Sequence, residues 1–362
     1  MTTRKPLVAL GLMIAVATLL ALSVRPDLSE AGQMGPAYKV LAPLSRGNLT
    51  IFPVVADRTH DTNEFLTLDE GVRTGDVVVS EAGSVRPLVR RHGDYIRSDG
   101  AEVNRLVLVN NSDRPLILLA GEIVTGGKQD RVVGKDRIVP PKSDPIDLAV
   151  FCVEPERWVA AKSTFGSFHS QMAQPSVRRS AMADKNQQKV WADVHSASRS
   201  LGLAASPPAA QEMSRTSSYA GVMANEEVKR RVDDVAVPLE QSYIGLMREL
   251  RERNAVGVVV AVNGRLIWAD IFASTPLLEK YWPKLIRSYA AEALTDSKTT
   301  NPPDAKEAQA FLQDFGARHE AEETEPGIFR RTELTGEDFT AFTLTSLLPG
   351  TGFDLHVAKM VD

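Results

Sequence analysis

The chain has 362 residues, 43% hydrophobic and 24% charged, with a formal net charge of −4. At about 150 residues per domain this fits one large or two modest domains, and so large an apolar share excludes global disorder. The balanced charge leaves no basic face for nucleic acid, and a single cysteine excludes an internal disulfide.

Thr3, Arg4 and Lys5 precede an uncharged, almost wholly apolar run from Leu7 to Val24, and Ser29-Glu30-Ala31 is a small-x-small pattern. Residues 1–31 therefore read as an export signal, cleaved or retained as an inner-membrane anchor, with the rest of the chain in the periplasm. Membrane contact is expected through this segment only. Residues 32–37 read as a tether and 38–362 as a single domain.

From Tyr38 the pattern is one of short β-runs. Leu49–Val55, with Pro53 near its end, suits an edge strand. Thr67–Arg73 reads as one or two helical turns. Asp76–Ser80, Val85–Val89, Leu106–Val109 and Leu116–Leu119 read as strands. The last two are continuously apolar and Ile146–Val153 reads as a third such strand, which predicts cover on both faces. Residues 163–225 are rich in Ser, Ala and Gln and read as a mobile insertion. Within it, Gln187–Ser198 is helical by pattern and Ala204–Ser218 is an open loop.

Regular structure resumes at Glu226. Val228, Val232, Val235, Leu239 and Tyr243 recur at helical spacing, with Pro238 expected to kink or split the helix. Asn263-Gly264 between two β-runs predicts a hairpin. Pro276–Leu294 reads as a helix, Asp304 as the cap of another over Ala305–Phe315, and three β-runs close the chain. This order predicts an α+β fold: a predominantly β N-terminal half with mixed or antiparallel sheets, then helices, a hairpin and a C-terminal α/β portion.

Candidate chemistry concentrates between Ala120 and Trp158. Gly126 and Gly127 can bring backbone N–H groups to a ligand, and Lys128, Gln129 and Arg131 follow with charge and hydrogen-bonding groups suited to an anion. A Walker loop would need glycine where Glu122 stands. The alternative is a glycine turn with solvated charges. Glu122 and Glu154 are candidate acid/base groups or salt-bridge partners. Arg157 and Trp158 are candidate ligand contacts. Cys152, flanked by Phe151 and Val153, reads as a core cysteine. Asp270, within LIWADIF, is either buried and paired or on a solvent edge. His60, His92, His169, His195, His319 and His356 are scattered without metal spacing, so no metal and no cofactor are expected.

GEIVTGGKQDRVV, IDLAVFCVEPERW and the later hairpin-helix resemble the ARG and rhodanese-phosphatase superfamily-associated protein domain, formerly a domain of unknown function, over about Tyr38 to Leu294. The resemblance implies a phosphorylated or nucleotide-derived, ADP-ribose-like ligand. Its matched polar positions are Glu122, Lys128, Gln129, Arg131, Cys152, Glu154, Arg157 and Trp158. Three readings stay open: a binding module for such a ligand or a glycan, a hydrolase using Glu122 and Glu154, and a structural domain without a ligand.

Overall fold

The computed structural model describes residues 37–81, 105–155, 164–249, 253–296 and 300–362. The expected export segment, the run Val85–Val89, and Arg157 with Trp158 lie outside these residues. No helix among the described residues is long and apolar enough to cross a membrane.

The fold is α+β, with strands dominating the N-terminal half. A nine-stranded antiparallel sheet is built from both ends of the chain. Its early strands are β1 (Tyr38–Val40), β2 (Leu44–Arg46) and β3 (Leu49–Ala56). Its late strands are β13 (Ala255–Val262), β14 (Arg265–Phe272), β15 (His319–Glu325), β16 (Phe329–Thr335), β17 (Phe339–Ser346) and β18 (Asp354–Val361). The order is β1-β3-β13-β14-β18-β17-β16-β15, with β2 also on β3. A closed barrel follows the order β11-β6-β5-β12-β8-β9. It comprises β5 (Val77–Glu81), β6 (Arg105–Asn110), β8 (Glu122–Gly126), β9 (Arg131–Val133), β11 (Ile146–Cys152) and β12 (Thr164–Met172). Three short strands, β4 (Leu66–Thr67), β7 (Leu116–Leu118) and β10 (Arg137–Val139), form a small sheet in which β4 and β7 run parallel.

Local chemistry accounts for most boundaries. Thr67 caps α1 (Leu68–Thr74) in a reciprocal capping box with Glu70, and Gly75 closes it in the left-handed conformation. The β13–β14 turn places Asn263 and Gly264 at φ of 52° and 72°, the pair of positive values that a two-residue hairpin requires. Ser274 caps α7 (Thr275–Thr295) through the N–H of Leu277, and Asp304 with Glu307 boxes α8 (Ala305–Gln313). On one face of the large sheet Ile51, Val258, Val260 and Trp268 pack with Leu278, Tyr281 and Leu285 of α7; on the other, Phe52, Val54 and Val259 lie beneath Ala308 and Leu312 of α8.

Four expectations change. β3 is interior, paired with β1 and β2 on one side and β13 on the other. Pro53 is tolerated because its carbonyl, and hence the side its missing N–H would face, meets Leu41 in the gap between β1 and β2. β11 alternates buried and exposed residues, with Asp147 and Ala149 outward, because only its inner face meets the barrel core. Within the expected insertion, the open loop Ala204–Ser218 holds one short helix, α4 (Pro207–Met213); α2 (Pro175–Met182) and α3 (Gln187–Leu203) precede it and α5 (Tyr219–Met223) follows. The insertion's small side chains pack closely, with Ala181, Ala197 and Ala209 buried, and Pro207 sits in the first turn, where no N–H is needed. Finally, of the kink or split expected at Pro238, the split does not occur: α6 (Glu226–Glu249) continues through it. β15, with the sequence HEAEETE, was not expected, because it carries no apolar alternation; it pairs with β16 along its whole length.

Candidate functional site

The Gly126–Arg131 turn joins β8 to β9, and protein groups fill it. Gly126 and Gly127 have φ of 131° and 49°, and a Cβ on Gly127 would lie 2.1 Å from the Phe165 ring, so both glycines are demanded by the turn itself. The N–H of Lys128 donates to Glu81 Oε1 at 2.8 Å, that of Asp130 to Glu154 Oε2 at 3.0 Å, and that of Gly126 to Asp130 Oδ1 at 3.1 Å. Ser218 Oγ donates to Asp130 Oδ2 at 2.7 Å, and Gln129 Nε2 to the Glu154 carbonyl at 2.8 Å. Backbone N–H groups at such a glycine turn can form an anion-binding concavity; here three carboxylates occupy that role. Arg131 has no exposure and lies opposite Cys152 in the barrel. Burial pushes the Cys152 thiol up, as for a core cysteine.

Gly126, Gly127, Lys128, Gln129, Arg131 and Glu154 are thus brought together, while Glu122 has other partners at the far end of β8. It is 1% exposed; its Oε2 accepts the N–H of Leu119 at 2.8 Å and its Oε1 lies 2.5 Å from Lys284 Nζ. Lys284, on α7, also bonds Asp69 at 2.7 Å and sits 4.5 Å from the Tyr281 ring centre. Burial alone would lower the Lys284 pKa, but the two carboxylates outweigh it and hold the ammonium charged. Burial raises the Glu122 pKa, Lys284 opposes the rise and the neighbouring Asp69 carboxylate adds to it.

Asp270 proves to be buried and paired. Arg178 of α2 grips it with both terminal nitrogens at 2.9 and 3.0 Å, and the Tyr289 hydroxyl donates to the same carboxylate. His356 Nε2 bonds Asp270 at 3.0 Å while its Nδ1 bonds Asp136 at 2.6 Å. Burial opposes protonation of His356, but the flanking carboxylates prevail and raise its pKa to about 9. Two cations and two carboxylates therefore close a neutral, dry unit. Gly121, at φ 96°, makes room for it: a Cβ there would lie 2.6 Å from the Arg178 side chain. Sequence reasoning singled out Asp270 but missed Arg178, Tyr289, His356 and Asp136. On β18 His356 shares a face with the buried Ala358 and Met360, and those apolar neighbours two and four residues on were a signal that it turns inward.

Two concavities stand out. One, of about 520 Å³, is an open hollow beside the stacked rings of His60 and Phe353, rimmed by Asp61 and Glu64. The other, of about 240 Å³, lies where the end of β12 meets α6 and α7. Met172, Met223 and Val232 give it apolar walls, and Lys229, Lys284, Arg287, Glu226 and Asp233 also line it. Arg287 is oriented by Asp233 at 3.0 Å and Glu240 at 2.9 Å, and Lys229 is exposed. None of the described residues selected from sequence lines either concavity.

A family profile described as the ARG and Rhodanese-Phosphatase-superfamily-associated Protein domain matches residues 37–358. No curated protein matches the chain, and no solved structure matches it.

Proposed function

The chain belongs to the family of that domain, and on this premise we propose that it is an exported binding domain for a small anionic ligand, taken up in the cleft between α6 and α7. One observation carries the reading. Lys229 and Arg287 line that cleft together with the apolar Met172, Met223 and Val232, and Lys229 is exposed. Convergent polar groups over an apolar concavity are the usual composition of a small-molecule site. The cleft is small, so a phosphorylated or carboxylate head would enter while a larger nucleotide-derived tail stayed outside. Export rests on the basic and apolar pattern of residues 1–31.

Binding is favoured over hydrolysis by the engagements of the two candidate carboxylates. Glu122 is bound to Lys284 and Glu154 to the backbone of Asp130, two different surroundings rather than one acid/base pair. The test is thermal shift with orthophosphate, sulfate, ribose 5-phosphate, AMP and ADP-ribose, on wild type and Lys229→Ala. A ligand at about 100 times its Kd adds roughly 2.7 kcal/mol of stability, and Lys229→Ala should reduce that shift. Protection that the substitution leaves unchanged would place the site elsewhere; product release during incubation would restore the hydrolase reading.

A further inference from the structure

The larger concavity, of about 520 Å³, opens between the segment that joins β3 to β4 and the turn that joins β17 to β18. Its size is that of a small-molecule site. His60 and Phe353 both line it, with ring centres 4.2 Å apart and planes within 6° of parallel. Asp61 and Glu64 bring two exposed carboxylates to the same hollow. Asp61 accepts the N–H of Asn63 at 2.9 Å, and no cation among the described residues pairs with either carboxylate. No lysine or arginine lines the hollow among the described residues. We propose that it is a second binding site, which takes a small organic cation bearing an ammonium or guanidinium group.

The fold holds this hollow ready. Arg114 directs its donors to backbone carbonyls, those of Asn63 at 2.7 Å, Glu64 at 2.9 Å and Phe65 at 3.1 Å, so it fixes the loop without bridging the carboxylates. The N–H of His60 donates to the Ala273 carbonyl at 2.9 Å. On the other wall the Ser346 and Thr351 hydroxyls bond at 2.7 Å, and Gly350 and Gly352 turn the chain at φ of 80° and 118°. A ligand therefore meets formed walls, and little freedom is lost when it binds. Burial and the nearby Arg58 hold the His60 pKa below its ordinary value, against the pull of Asp354, so the ring is neutral at neutral pH and adds no positive charge. The Phe353 ring attracts positive charge, and a bound ammonium or guanidinium donates its N–H groups to Asp61 and Glu64. Among the described residues no group of three or more His, Cys, Asp or Glu side chains is placed to hold a metal ion, so the donor set suits an organic cation better than a metal.

The test is calorimetric titration of the full chain with agmatine and putrescine, and with butanediol as the uncharged control. Both cations should bind and the diol should not. Asp61 and Glu64 are exposed, so the double variant Asp61→Asn, Glu64→Gln should fold, and it should weaken agmatine by at least about tenfold. Phe353→Leu should weaken it by about threefold. Lys229→Ala, in the cleft between α6 and α7, should leave agmatine unchanged; a loss there would move the cation to the cleft and overturn the proposal. No heat with either cation at millimolar concentration, equal affinity for the diol, or agmatine binding that the double variant retains would each overturn it as well. Tighter binding of calcium than of agmatine, lost in the same double variant, would give the hollow to a metal instead.

Discussion

One helix, α7, serves two charge clusters that end differently. Through Tyr289 it joins the Asp136–His356–Asp270–Arg178 unit, where charges balance and the side chains are buried. One turn and a half earlier, Lys284 and Arg287 face a concavity, and Lys284 serves two carboxylates alone. A closed cluster of matched charges specifies how β14, β18, α2 and α7 come together. The other is buried but unbalanced, because a single ammonium answers two carboxylates where α7 meets β8 and α1. Burial of charge alone therefore does not mark a site; what matters is whether the partners add up and whether solvent can reach the remainder.

The sharpest way to break this comparison is to open the closed unit. Asp270→Ala should cost about 3–5 kcal/mol in urea unfolding, because it leaves Arg178 and His356 buried without their shared carboxylate. A cost within the range of a surface substitution would show that the unit is not sealed. Gly127→Ala should cost about 2–3 kcal/mol, combining overpacking against Phe165 with a left-handed backbone. That loss, with anion binding intact in the same variant, would identify the signature turn as architecture separate from the cleft.

The next test is by pH. The His356 pKa is raised from 6.5 to about 9, so its contribution is fully present below pH 6.5 and is lost as pH rises through about 9. Melting temperature should fall across that window in wild type, and His356→Gln should flatten the fall. The smallest effect belongs to the cleft, which Lys229 lines. Lys229→Ala should leave stability within about 0.5 kcal/mol while weakening anion binding, a separation that no substitution in the closed unit can produce.

The sequence was legible wherever a signal is local. Asn263-Gly264, the Asp304 cap and the α7 stripe need only neighbouring residues, and Gly126-Gly127 correctly marked a turn demanding positive φ. The same residues misled where a partner was remote. A glycine pair followed by lysine and arginine looks alike whether its N–H groups await a ligand or already meet Glu81 and Glu154, 47 and 24 positions from their donors. Arg178 lies in a stretch whose small residues gave no pattern, 92 positions from Asp270.

What the sequence determined by itself, then, is the α+β class, most element boundaries and the family, because periodicity, capping and turn chemistry act over a few residues. Which charges answer one another was decided only by the tertiary structure. Electrostatic pairing depends on distance through space and on exclusion of water, and Lys284, Glu122 and Asp69 acquire both only when α7 packs across the barrel and α1.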